Sequence, residues 1–274
     1  DGGSYNVAIG YEALRVQDAG ADAYNVAVGY AAGAAVSTGT ANTIVGGLAG
    51  DALTDGGTNV LVGYDAGGLL TSGGSNVAVG AYALKTEDGN GANVAIGYSA
   101  LEAQNAGAEA YNVAVGFKAG EAMTTGISNT LVGGLAGDAL TTGSYNVALG
   151  YEALGTEDTG SRSIAIGYHA LRVQDYNGEA FNIAIGHNSG ASVTTGVKNN
   201  IIGGLAGDAI TTGQANEVMG YNALTANTEG SYNVAIGQST LSANVLGSKS
   251  IGIGYAALGS QNPASAVDMY NIGI

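Results

Sequence analysis

Few residues of this sequence have the types and spacing that chemistry needs. Gly252-Ile253-Gly254-Tyr255-Ala256-Ala257 fits the loose G-x-G-x-x-A pattern that cradles a pyrophosphate at a strand-to-helix turn. Here the hexad arises from a repeat, and no strand–helix–strand unit surrounds it, so no dinucleotide is expected. Asp51, Asp138 and Asp208 each follow a Gly, as in calcium-binding roll repeats. Those repeats need Gly-Gly-x-Gly-x-Asp in consecutive coils; this Asp recurs once per block of coils, and a turn-capping role is expected instead. His169 and His187 sit in adjacent coils, and a metal pair there is the weaker reading. The sequence has no P-loop, G-x-S-x-G or H-E-x-x-H motif, and no Cys to form disulfides or thiolate metal sites. No catalytic residue, no cofactor and no metal is expected, and the chain is not read as an enzyme.

What dominates instead is a repeat. An Asn (twice a Ser) is followed by a short apolar run and Gly, starting at Asn6, Asn25, Asn42, Asn59, Asn76, Asn93, Asn112, Asn129, Asn146, Ser163, Asn182, Asn199, Asn216, Asn233, Ser250 and Asn271. Eleven intervals are 17 residues, three are 19 and the last is 21. A fixed period of this length marks a solenoid, in which each unit buries its apolar side only against its neighbours. The expected fold is all-β: a parallel β-roll or β-solenoid of about fifteen 17-residue coils, one continuous body over residues 1–274, and part of a longer fibre.

Composition narrows the partners. With 22 acidic and 7 basic residues the net charge is −15, which leaves no basic stripe for phosphates, so no nucleic-acid partner is expected. An acidic surface keeps an apolar-rich chain soluble. No apolar run approaches the roughly 18 residues that cross a bilayer, so no membrane insertion is expected.

Counting from the Asn as zero, +1 and +3 are mostly Val or Ile. Position +4 is Gly in every complete copy: Gly10, Gly29, Gly46, Gly63, Gly80, Gly97, Gly116, Gly133, Gly150, Gly167, Gly186, Gly203, Gly220, Gly237 and Gly254. Position +7 is Ala in thirteen of fifteen and +8 is only Leu or Gly. Val-x-Ile predicts a strand, the Gly a corner, and +5 to +8 a second short strand. The remaining Thr, Ser, Gly and Asp are turn. Stacked coil on coil, the Asn predicts an amide ladder or bonds into the corner backbone. At about 4.8 Å per coil, fifteen coils span about 70 Å.

If +1 and +3 fill the roll, +2 faces outward. It reads Ala8, Ala27, Ile44, Leu61, Ala78, Ala95, Ala114, Leu131, Ala148, Ala165, Ala184, Ile201, Val218 and Ala235, with glycines after that. A strand apolar on both faces is buried on both, so this stripe is the expected interface of a homo-oligomer. Where +5 is Gly (Gly47, Gly134, Gly204), +2 is large and +6 is Leu, which reads either as volume compensation or as descent from one duplicated block; Leu61 with Tyr64 and Val218 with Tyr221 depart from it. The longer coils start at Asn6, Asn93, Ser163 and Ser250, with the extra residues expected near Arg15–Asp18, Glu102–Asn105, Arg172–Asp175 and Gly259–Asn262.

Asn-Val-Ala-Ile-Gly-Tyr-x-Ala-Leu resembles the head repeats of YadA-like trimeric autotransporter adhesins, and it is similar to repeats of phage tail fibres. The resemblance spans nearly the whole chain through a short motif. It implies a left-handed roll with three chains about one axis, in an extracellular, cell-surface or virion-surface fibre that attaches to a host or matrix receptor. The 17-residue coil is longer than the adhesin-head repeat, and no residue carries over as a ligand contact. The expected function is a rigid structural fibre segment for attachment. The alternative is a self-assembling extracellular filament subunit that stacks head to tail and binds no receptor of its own.

Overall fold

The computed structural model describes residues 4–274. They form two compact units, 4–142 and Gly143–Ile274, each a parallel β-solenoid. The first carries β1 (Val7–Ile9), β2 (Val26–Val28), β3 (Thr43–Val45), β4 (Val60–Val62), β5 (Val77–Val79), β6 (Val94–Ile96), β7 (Val113–Val115) and β8 (Thr130–Val132). The second carries β9 (Val147–Leu149), β10 (Ile164–Ile166), β11 (Ile183–Ile185), β12 (Asn200–Ile202), β13 (Glu217–Met219), β14 (Val234–Ile236), β15 (Ile251–Ile253) and β16 (Ile272–Gly273). Within each unit every strand pairs in parallel with the next, like position on like position, as Ala27 on Ile44 and Ala165 on Ala184. Among the described residues there is no helix.

The ladder survives the longer coils, where Val94 still faces Val113, nineteen residues on. Positions match through +12, since Asn105 N–H donates to Thr124 C=O. The extra residues therefore loop out after the segments expected from sequence, at 19–22, 106–109, 176–179 and 263–268. Three of these loops rejoin the body through single bridges, Ser4 with Asp22, Ser161 with Glu179 and Ser248 with Asp268.

The second strand expected at +5 to +8 does not form. Residues +6 and +8 are left-handed, as Leu48 (φ 58°) and Gly50 (φ 50°) show, and this interrupts extended backbone. Their N–H groups still bond to neighbouring coils, in opposite directions along the stack: Leu48 to Tyr30 C=O and Gly50 to Ala66 C=O. The corner Gly at +4 is forced by stacking. Gly203 has φ +137°, and a Cβ there would lie 2.6 Å from the carbonyl oxygen of Gly220 in the next coil.

The facing of the strand is the reverse of the one expected. The +2 residues lie inside the coil of their own chain. Ala27, Ile44, Leu61, Ala78, Ala95, Ala114, Leu131, Ala148, Ala165, Ala184, Ile201 and Ala235 are fully buried, and Val218 nearly so; Ala8, in the first strand, is exposed. Apart from Ala8 these residues cannot meet another chain, so the stripe assigned to an oligomer interface is core. The reason is the Asn. It shares the +2 face by the two-residue alternation of a strand, and its amide is buried inside. Asn42 N–H donates to Asn25 Oδ1 (2.9 Å), and Asn42 Nδ2 donates to Gly56 C=O (2.9 Å). The expected amide ladder and the corner bond are therefore both present.

The core is filled by an exchange between positions. Where +8 is Leu, +11 is polar: Gln17, Glu87, Gln104, Glu157, Gln174, Asn227, Asn244 and Gln261. Where +8 is Gly, +11 is apolar: Val36, Leu53, Leu70, Met123, Leu140, Val193 and Ile210. Every large +2 side chain also follows a coil with Gly at +8; a Cβ on Gly33 would sit 2.9 Å from Ile44 Cδ1 and 3.1 Å from Val36 Cγ2. Interiors tolerate neither gaps nor overlap, so these positions trade volume. The exchange includes Leu61 and Val218, which the Gly at +5 left as exceptions.

Candidate functional site

With +2 inside, +1 and +3 point to solvent. Val26, Val28, Val60, Val62, Val113 and Val115 are half-buried, and Ile96, Leu149 and Ile236 are exposed. Position −1 borders the strand on one side and +5 on the other. These two positions hold sixteen of the eighteen Tyr and Phe residues, and all sixteen are exposed. One coil thus presents Tyr24, Val26, Val28 and Tyr30, and another Tyr111, Val113, Val115 and Phe117.

The rings stack along the coils. Tyr11 and Tyr30 are 5.7 Å apart at 9°, Tyr98 and Phe117 5.6 Å apart at 16°, and Tyr151 and Tyr168 5.8 Å apart at 14°. At −1, Tyr5 and Tyr24 stack at 5.2 Å, and the Arg162 guanidinium lies 5.0 Å over Tyr145. Over positions −1, +1, +3 and +5 of all sixteen copies the one acidic residue is Glu217, out of 22 in the chain; Asn200 Nδ2 of the preceding coil donates to it (2.9 Å). In each unit the strand face is therefore apolar, aromatic-edged and almost free of negative charge, on a chain of net charge −15.

The sequence missed this face. Its signal was present: acidic residues avoid four alternate positions, and aromatics gather at two of them. The β-branched pair at +1 and +3 drew the inward assignment, because such residues usually mark the packed side of a sheet.

The residues with chemical potential do not converge. The His169 ring stacks on Tyr168 (3.7 Å), and Tyr168 stacks on His187 (5.2 Å). His169 Nε2 lies 3.1 Å from Glu152 Oε2 but is not aligned for a hydrogen bond. Arg172 Nε holds that oxygen at 2.7 Å. Burial and then the Arg172 charge hold the His169 imidazolium below its usual range. Burial works to raise the Glu152 carboxyl, but the Tyr151 hydroxyl, Arg172 and His169 together pull it below the ordinary value. Burial, then the charge of Asp65, raises the Asp51 carboxyl, against hydrogen bonds from its own and the next backbone N–H. Asp208 accepts a bond from Thr225 Oγ1 of the next coil. Both are turn residues tied into their surroundings, and they do not gather into a cluster. Among the described residues no group of three His, Asp or Glu could hold a metal ion. Gly252 is buried at a +2 position, where a Cβ would meet Thr240 Cγ2, so it lines core rather than a phosphate. Among the described residues no helix is long and apolar enough to cross a membrane.

No family model, no curated protein and no solved structure matches the chain.

Proposed function

We propose that this chain is a structural segment of a homo-oligomeric fibre, a trimer on the resemblance to YadA-like heads and phage tail-fibre repeats. On this reading it is displayed outside the cell or on a virion and serves attachment to a host or matrix surface. The observation that carries the reading is the outward strand face, with Val or Ile at most +1 and +3 positions and exposed rings along its −1 and +5 borders. Exposed apolar area is worth about 25 cal/mol per Å² when removed from water, and monomers rarely expose large contiguous apolar patches. A face repeated in register from coil to coil, cleared of like charge, is complementary to a second copy of itself. The interface is thus reassigned from +2 to +1 and +3, with the rings at −1 and +5 as its borders.

Sedimentation velocity tests the reading. The parent should sediment as a multiple of 26.7 kDa, with three copies expected. Val113→Glu with Val147→Glu should give folded monomers. A parent that stays monomeric at every concentration would sink the proposal, and open-ended growth into fibres would favour the head-to-tail filament instead.

A further inference from the structure

The four longer coils share one surface arrangement. Two residues before the aromatic at −1, the loop carries an acid: Asp22, Glu109, Glu179 and Asp268. The −1 residue of the coil before it lies alongside. In two cases that residue is a cation paired with the acid. Arg162 Nε lies 2.7 Å from Glu179 Oε1, with the guanidinium over the rings of Tyr145 (5.0 Å) and Phe181 (5.9 Å). Lys249 Nζ lies 2.6 Å from Asp268 Oδ2 and 3.2 Å from the Tyr270 hydroxyl. In the first coil Tyr5 stacks on Tyr24 instead.

In the remaining coil the −1 residue is Ala92, seventy residues before Arg162, and Gly91 stands where Ser161 stands later. The short side chains leave a cleft of about 510 Å³ lined by Ser72, Ser75, Asn90, Ala92, Glu109 and neighbouring glycines. Glu109 has no cation partner among the described residues; the Tyr111 hydroxyl donates to it. The last coil shows that an acid, a tyrosine hydroxyl and a cation fit together at this place. Six buried side-chain polar atoms lack partners among the described residues, and three of them, Glu87 Oε2, Asn93 Nδ2 and Gln104 Nε2, lie in the core of the two coils behind the cleft and not in its lining. The equivalent atoms seventy residues on are joined, Gln174 Nε2 donating to Glu157 Oε2 (2.7 Å) and to Ser163 Oγ (2.9 Å).

We propose that this cleft is a receptor for a guanidinium group, the arginine side chain of a partner polypeptide, which pairs with Glu109 beside the Tyr111 ring as Arg162 pairs with Glu179 in the same chain. A planar guanidinium gives a carboxylate oriented donors and stacks on an aromatic face, and both are used at the internal copy of the site. The site lies at the −1 border of the strand face, so an arginine held there belongs to whatever lies alongside that face.

The test is a titration of the full chain with N-acetyl-arginine amide, followed by amide chemical shifts. Saturable shifts confined to residues 72–75, 89–92 and 109–111 are expected. Glu109→Gln should weaken binding about tenfold, Ala92→Arg should abolish it by restoring the internal pair, and Glu179→Gln should leave it unchanged. Tetramethylammonium, a cation with no N–H donor, should not reproduce the shifts. No saturable shift at tens of millimolar ligand, equal binding by Glu109→Gln, or shifts spread over all the acidic residues would each overturn the assignment.

Discussion

Glu87 and Glu157 occupy the same inward position, +11, and both are fully buried, yet their surroundings differ. Glu157 accepts from Gly160 N–H (2.7 Å), Gln174 Nε2 (2.7 Å) and Tyr176 N–H (3.5 Å). Glu87 Oε1 accepts from Asn90 N–H (3.2 Å), and its Oε2 has no partner. Burial pushes both carboxyls above the usual range, against these hydrogen bonds. A carboxyl raised in the folded state lends its stability fully below its unfolded pKa and loses it as pH rises through the folded value. Glu87→Gln should therefore melt close to the parent at about pH 4 and above it at about pH 8. The gain should be about 1–3 kcal/mol, from removing a carboxyl that must be charged out of water or protonated there; the Gln amide still leaves one polar atom unpaired. Glu157→Gln should gain less, because it gives up the acceptor that holds Gln174 and Tyr176. Paired thermal melts across pH check this; a constant offset between Glu87→Gln and parent would contradict it.

At the scale of one coil, the Asn ladder, the corner Gly and the +8/+11 exchange do separate work. Asn59 Oδ1 accepts from Asn76 N–H (2.9 Å), and its Nδ2 donates to Gly73 C=O (2.9 Å). Asn59→Leu should cost about 2–4 kcal/mol by leaving both buried partners unpaired, as read by denaturant unfolding. Gly97 has φ +139°, and a side chain there would run into the Gly116 carbonyl. Gly97→Val should cost about 3–5 kcal/mol, and an unchanged melting curve would refute the corner role. Leu84→Gly opens a gap in the core, and Glu87→Leu should fill it, as Leu53 and Leu70 do in coils with Gly at +8. The double variant should be more stable than the sum of the single changes by at least about 1 kcal/mol; additive behaviour would argue against volume exchange.

For the whole molecule, the decisive contrast is between neighbours on one strand. Ala95 is fully inside and Val94 half-exposed. Ala95→Asp buries a charge without a partner and should unfold its unit, a loss above about 3 kcal/mol. Val94→Glu should keep the circular dichroism of the parent and weaken association. Sedimentation alongside dichroism separates the two: a folded, assembled Ala95→Asp would return the +2 stripe to the surface, and an assembled Val94→Glu would remove the strand face from the interface.

The period, the parallel stacking, the Asn ladder and the corner Gly were legible in the sequence because each is a local demand repeated in every coil; that the Asn is buried inside was not. Gly permits what Gly116 and Gly220 require of their neighbours, and Asn carries the donor and the acceptor that one ladder step uses. The volume exchange among +2, +8 and +11 was also written there, but its logic appears only once those side chains are known to share one interior. Which side of the strand was inside was not legible from hydrophobicity, since +1, +2 and +3 are all apolar. Tertiary structure decided it: the Asn amide column is buried, and the two-residue alternation of the strand takes +2 inside with it, so Val and Ile at +1 and +3 turn to the surface, where they form a face that another molecule can cover.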